Sequence, residues 1–117
     1  MLVHLVLFRP RPNLDPTERQ RLADALSAAI RQIPTVRTAR VGRRVTHGRA
    51  YEQLMRADYT HIATLEFDDL AGLKAYLEHP VHEQLATRFF AAFEEALMYD
   101  YEVADGEDGL RWITETS

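Results

Sequence analysis

The chain has no cysteine among its 117 residues, which excludes disulfide staples, thiolate metal sites and cysteine nucleophiles together. It has one tryptophan and only five glycines. No Gly-rich phosphate loop, G-x-S-x-G or H-E-x-x-H pattern occurs, so the common signatures of nucleotide handling, serine hydrolysis and zinc proteolysis are missing. An excess of basic charge is missing too: the formal charge of −4 argues against nucleic acid as a partner. Nor is there a long hydrophobic run. The apolar opening, residues 2–8, is far shorter than the ~20 residues of a membrane helix, and it lacks the basic start and small-residue cleavage site of a secretory signal. These absences predict a cytoplasmic protein with no membrane partner.

What is present is ordinary for a globular protein, 46% hydrophobic and 27% charged, enough for one domain with one modest core. Residues 2–8, LVHLVLF, are apolar at nearly every position, as in a strand covered on both faces. A helix follows, with Asp15 as N-cap, Pro16 at the first helical position, Glu18 where a capping-box partner sits, an apolar stripe of Leu22, Leu26, Ile30 and Ile33, and Pro34 as the stop. The arginine-bearing stretch after it reads as a strand with one solvated face, its charges at positions 37, 40, 43, 44 and 49 either guarding a sheet edge, the plainer reading, or binding an anion. A connector with a helical turn leads to YTHIATLEF, whose alternation puts His61, Ala63, Leu65 and Phe67 on one face.

Asp68 or Asp69 caps a short helix that cannot run smoothly through His79, because a residue before proline is pushed out of the α region. Pro80 starts a second helix, expected over residues 80–97 with Val81, Leu85, Phe89, Ala92 and Phe93 inward. The last strand is expected at 98–103. Residues 105–117 read as an acidic tail, a mobile turn followed by an extra strand or a dimer arm. The order strand, helix, strand, strand, broken helix, strand is the ferredoxin-like βαββαβ arrangement, an α+β fold with helices on one face of an antiparallel sheet. The other face would be bare and apolar, with Tyr99, Tyr101 and Val103 in a row on the last strand, so a two-fold homodimer with facing sheets is expected.

If His4, Val6 and Phe8 face the helices, then His61, Ala63 and Leu65 are the matching positions of the neighbouring strand, and the two histidines would sit side by side. Tyr76 and His82 flank the helix break over the same face. Four polar side chains then converge on a pocket walled by Leu26, Leu85, Phe89, Phe93 and Met98, the usual make-up of a small-molecule site. Each has a plainer reading. His79 is a natural cap for the second helix, His47 belongs to a polar turn, and His4 and His61 can serve simply as hydrogen-bonded core residues. Tyr76 can be a core aromatic, whereas His82 is the hardest to explain as filler. His4, His61 and His82 supply enough imidazoles for zinc, but their spacing is not diagnostic and no metal is expected.

The segments VHLVLF, YTHIATLEF, YLEHPVHEQL and LMYDYEV resemble, in order over residues 1 to about 103, the stress-responsive dimeric A/B barrel (Dabb) family. The H-P-x-H element together with the first-strand histidine carries most of that likeness. The resemblance implies a ferredoxin-like protomer, a dimeric α+β barrel, and a cleft between sheet and helices. It also implies a cofactor-independent polyketide cyclase-like aldol condensation, or a lyase or isomerase reaction, on a small apolar carbonyl compound. His82 would be the base and Tyr76 the carbonyl or oxyanion donor, assisted by His4 and His61. Two aromatic pocket positions of the family's cyclase fall on Leu26 and Phe93, so a different substrate is implied. Two alternatives share the architecture: a non-catalytic ligand-binding stress-associated homodimer, and a cofactor-free monooxygenase-like barrel.

Overall fold

A computed structural model describes residues 1–115. Strand β1 (Leu2–Pro10) is followed by α1 (Pro16–Gln32), β2 (Thr38–Arg43), a 3-10 turn (Ala50–Leu54), β3 (His61–Phe67), α2 (Leu70–Glu78), α3 (Pro80–Ala92) and β4 (Phe93–Glu102). The strands form one antiparallel sheet in the order β2-β3-β1-β4. The protomer measures 46 × 39 × 21 Å, a thickness of two layers, which matches a ferredoxin-like sheet with helices on a single face.

Local chemistry places the helix ends. Asp15 accepts a hydrogen bond from the Thr17 amide at 2.8 Å, and Asp69 accepts one from the Gly72 amide at 2.9 Å, so each N-terminus has an orphan donor satisfied by a carboxylate. Glu18 does not close a capping box. Its carboxylate turns outward to Arg21 at 2.7 Å and Arg88 at 3.7 Å. In the loop after β2, Gly48 takes φ = 84°, a conformation that costs a side-chain-bearing residue stability.

The helix-facing side of the sheet makes the core. Val6, Phe8, Ala63, Leu65 and Phe67 are buried beneath Ala29, Ile33, Leu73, Tyr76 and Leu85. This is the alternation read from β1 and β3, and it comes from burying one face of a period-two strand. The opposite face is uncovered within the protomer. The register aligns Val3 with Tyr101, Leu5 with Tyr99 and Leu7 with Leu97 and Ile62 on that side, and Tyr99 and Tyr101 are 52% and 50% exposed.

Two expectations are corrected. Helix α3 ends at Ala92, not at residue 97, and β4 begins at Phe93. Glu94, Glu95, Ala96 and Leu97 favour a helix locally, but β1 runs on to Pro10 and recruits them as its ladder partner, pairing Phe8 with Ala96 and Arg9 with Glu95. The Arg9 guanidinium seals that end through Glu94 at 3.2 Å and Glu95 at 3.0 Å. Tertiary pairing here overrides propensity. The segment after Val103 forms two helical turns, α4 (Gly106–Gly109) and α5 (Arg111–Thr114), instead of a mobile turn and an extra strand. Its acidic residues and Gly106 sit where a short helix can start. The last two positions of the expected tail lie outside the described residues.

Phe67 is fully buried and touches the Tyr76 ring, centroids 5.2 Å apart. Phe67→Ala is expected to cost about 3–5 kcal/mol in urea unfolding, against about 1 kcal/mol for Asp15→Ala at the exposed cap. Equal losses would contradict a core centred on β3.

Candidate functional site

The chain break between α2 and α3 positions the site. His79 is extended, with φ −70° and ψ 138°, and its Nδ1 accepts the Val81 amide at 3.1 Å, capping α3. Pro80 follows with no N–H to lose. Tyr76 lies in the last turn of α2 and His82 in the first turn of α3. The bend brings their rings edge to face at 4.7 Å between centroids. Beneath them, His4 projects from the helix-facing side of β1 with its ring 6.0 Å from that of Tyr76.

These three residues stand at one end of a cavity of about 180 Å³ between sheet and helices. That is below the roughly 300–1,000 Å³ of pockets for drug-sized ligands and suits a compact one. Of the expected wall, Val6, Phe8, Leu26, Ala63, Leu85, Phe89 and Met98 line it, joined by Leu22, read from sequence only as part of a helix stripe, and by Leu77 and Phe90, which the sequence did not single out. Phe93 is not on the wall. As the first residue of β4 it stacks behind Phe89 at 4.7 Å, because α3 ends before it.

His61 is likewise not brought in. The antiparallel register sets Leu65, not His61, opposite His4, and pairs His61 with Phe8. Four residues of strand, roughly 13 Å, therefore separate the two imidazoles. His61 stacks on Phe8 at 5.3 Å and bonds the Thr60 hydroxyl at 2.7 Å. Among the described residues no three of His, Asp and Glu stand together as a metal site. His47 bonds Tyr51 at 2.6 Å on the surface, far from the cavity in the fold.

Sequence reading also missed Asp100. It is the register partner of His4 on β4, and its Oδ1 accepts from His4 Nδ1 at 2.6 Å. An ionised carboxylate can only accept, so Nδ1 carries the proton of this bond. A signal was available: if Tyr99 and Tyr101 face outward, period two puts Asp100 on the helix side, level with the one polar residue of the stretch 2–8.

The electrostatics favour uncharged forms. Burial, then the nearby His4, pushes the His82 pKa below the ordinary imidazole value, while a hydrogen bond with the Leu77 carbonyl opposes the shift. Burial pushes the Tyr76 phenol up to about 12, so it keeps its proton across the physiological range and can donate. Its hydroxyl has no hydrogen-bond partner among the described residues. The arrangement thus sets an imidazole biased toward its neutral form against a protonated phenol beside an apolar space.

Comparison with known proteins agrees with this architecture. Residues 2–103 match the family described as Stress responsive A/B Barrel Domain. A stress-response A/B barrel domain-containing protein of Arabidopsis thaliana is 24% identical over 101 residues, 86% of this chain and 85% of that one. Olivetolic acid cyclase of Cannabis sativa is 21% identical over 98 residues, 84% of this chain and 92% of the cyclase. Among solved structures, the hydroxynitrile lyase of Passiflora edulis superposes with a TM-score of 0.74 at 22% identity, covering 90% of this chain and 94% of the lyase. A dimeric ferredoxin-like protein of unknown function from Thermobifida fusca superposes with 0.68 at 20%, covering 87% and 90%. No helix of the described residues is long and apolar enough to cross a membrane.

Because the folded state disfavours the imidazolium of His82, the unfolded chain binds more protons as pH falls through the ordinary imidazole range. His82 therefore contributes a loss of stability toward acid. The drop in urea midpoint from about pH 7 to pH 5.5 is expected to be smaller for His82→Asn than for the unmodified chain. An identical drop would contradict a half-buried ring held neutral.

Proposed function

The chain belongs to the stress-responsive A/B barrel family, and on that premise we propose that it is a homodimeric acid/base catalyst, working without a cofactor on a small, largely apolar carbonyl compound. The observation that carries this reading is the Tyr76–His82 contact at the end of the cavity, centroids 4.7 Å apart. The names of two similar proteins, a cyclase and a hydroxynitrile lyase, belong to the same broad class of chemistry.

In the proposed reaction His82 removes the proton α to a substrate carbonyl, taking it onto the imidazole as the C–H electron pair becomes the enolate π bond. A neutral imidazole is the form that can accept it. Charge builds on the carbonyl oxygen, where the Tyr76 hydroxyl donates a hydrogen bond that strengthens as the charge grows. The enolate carbon then attacks a second carbonyl of the same molecule, and the imidazolium returns its proton to the new alkoxide. An isomerase would use the first half of the sequence and reprotonate elsewhere, whereas in a lyase the enolate would expel a group β to the carbonyl, forming the C=C bond, and the imidazolium would give its proton to that leaving group. Asp100 orients His4, and His4 disfavours charge on His82. Leu26, Phe89 and Met98 pack on the apolar part of the substrate and displace water. His61, held by Phe8 and Thr60, has no part in this scheme.

A second reading, a ligand-binding dimer without turnover, draws support from how few polar groups border the cavity. Both readings share the homodimer. Val3, Leu5, Leu7, Ile62, Leu97, Tyr99 and Tyr101 form an uncovered apolar face, and burying it against a second copy is the simplest remedy. The Thermobifida fusca neighbour is described as dimeric.

Proton exchange tests the catalytic reading without knowledge of the substrate. Loss of the α-proton signal of small apolar 1,3-diketones in D2O is followed by NMR, with and without protein. The unmodified protein should accelerate exchange with a rate that rises with pH through a midpoint below the ordinary imidazole value. His82→Ala should lower the rate by about 10²–10⁴-fold, and Tyr76→Phe by about 10²–10³-fold. Folded variants that exchange as fast as the unmodified protein would refute the assigned roles.

A further inference from the structure

The segment after β4 serves no purpose inside the protomer. Helical turns α4 and α5 contact each other and only slightly anything else, yet they present Leu110 and Ile113, the latter 80% exposed, and the half-covered Trp112. Asp105, Glu107, Asp108 and Glu115 flank these apolar residues, with Arg111 as the lone cation of the segment. At the other edge of the sheet, β2 has the opposite character. Its outer side has no strand partner, it exposes Val41 to 57%, and Arg37, Arg40, Arg43 and Arg44 follow one another with no acidic residue between them. Arg37, Arg40 and Arg44 each share one exposed carboxylate, and Arg43 has none among the described residues. Pairs at a solvated edge are weak, so these arginines can exchange partners at little cost.

Topology decides which β2 the segment can reach. β4 ends beside the start of β1, Glu102 opposite Leu2, and the Val103 amide donates to the Met1 carbonyl at 2.9 Å. The segment thus leaves from the end of the sheet at which β2 begins, since Thr38 pairs with Glu66 near the end of β3. Its own β2 lies beyond β1 and β3, about 14 Å away across three strand spacings. When two such sheets face each other about a two-fold axis running along the strands, however, the order β2-β3-β1-β4 sets the β4 edge of one copy beside the β2 edge of the other. The end of β4 then meets the start of the partner's β2.

We propose that residues 104–115 of each protomer clasp the partner's β2 edge, the acidic residues meeting the arginines while Leu110, Trp112 and Ile113 wrap round the edge onto Val41, which pairing with Ala63 places on the helix-facing side. This rests on the homodimer reading above. It gives the dimer a salt-sensitive component in addition to the apolar sheet contact.

Trp112 is the chain's only tryptophan and reports on the clasp directly. Its emission and its quenching by acrylamide are measured on the full chain across a dilution series, with the dimer fraction followed in parallel by light scattering. The expected result is a blue shift and reduced quenching that grow with the dimer fraction, both lost in Asp105→Lys/Glu107→Lys/Asp108→Lys while the sheet-mediated dimer persists at high concentration. A dimer in which Trp112 stays as quenchable as in the monomer overturns the clasp and leaves the homodimer standing. A blue shift already complete in the monomer, or kept in full by the triple variant, overturns it as well. A monomer at every concentration removes the homodimer and the clasp together.

Discussion

A proline that cannot continue a helix, preceded by a histidine that caps the next one, creates the geometry on which the site depends. With His79 held extended and its Nδ1 on the Val81 amide, α2 and α3 meet at an angle instead of merging into one rod. A continuous helix would set residues 76 and 82 about 600° apart around its axis at roughly 100° per residue, on faces that diverge by about 120°. The break cancels that divergence and turns both rings over the same stretch of sheet.

The sheet supplies the floor and the electrostatic setting. β1 is the central strand on which every other part of the site is registered: its helix-facing side carries His4, Val6 and Phe8, and its ladder with β4 delivers Asp100 to His4. Burial raises the phenol and lowers the imidazole by the same desolvation, so one physical cause keeps Tyr76 protonated and biases His82 toward its neutral form. The opposite face of the same strand, Val3, Leu5 and Leu7, is apolar for a different reason, as surface awaiting a second sheet. Both faces of β1 are therefore apolar, which explains why its sequence does not alternate.

Much of this was legible in the sequence because it follows from local rules. Period-two burial along YTHIATLEF, the Asp15 and Asp69 caps, and the stop at His79–Pro80 each rest on a few neighbouring residues, and the structure has them where those rules put them. What was not legible depends on partners distant in the chain. The start of β4 is set by the length of β1, not by the helix-favouring Glu94–Leu97 stretch. The separation of His61 from His4 is set by an antiparallel register that no single strand encodes. Asp100 lay within reach, since the outward tyrosines on either side fix its face, but its significance appears only once His4 is known to stand opposite.

The central claim is that His82 is a neutral imidazole held against Tyr76 at the end of an apolar cavity. A ¹H–¹³C NMR titration of the His82 ring, assigned by comparison with His82→Asn, tests it most directly. The account predicts a midpoint below the ordinary imidazole value, with the His82 resonances displaced by aromatic shielding that Tyr76→Leu removes. A His82 that titrates at or above that ordinary value and shows no change when Tyr76 is replaced would contradict it.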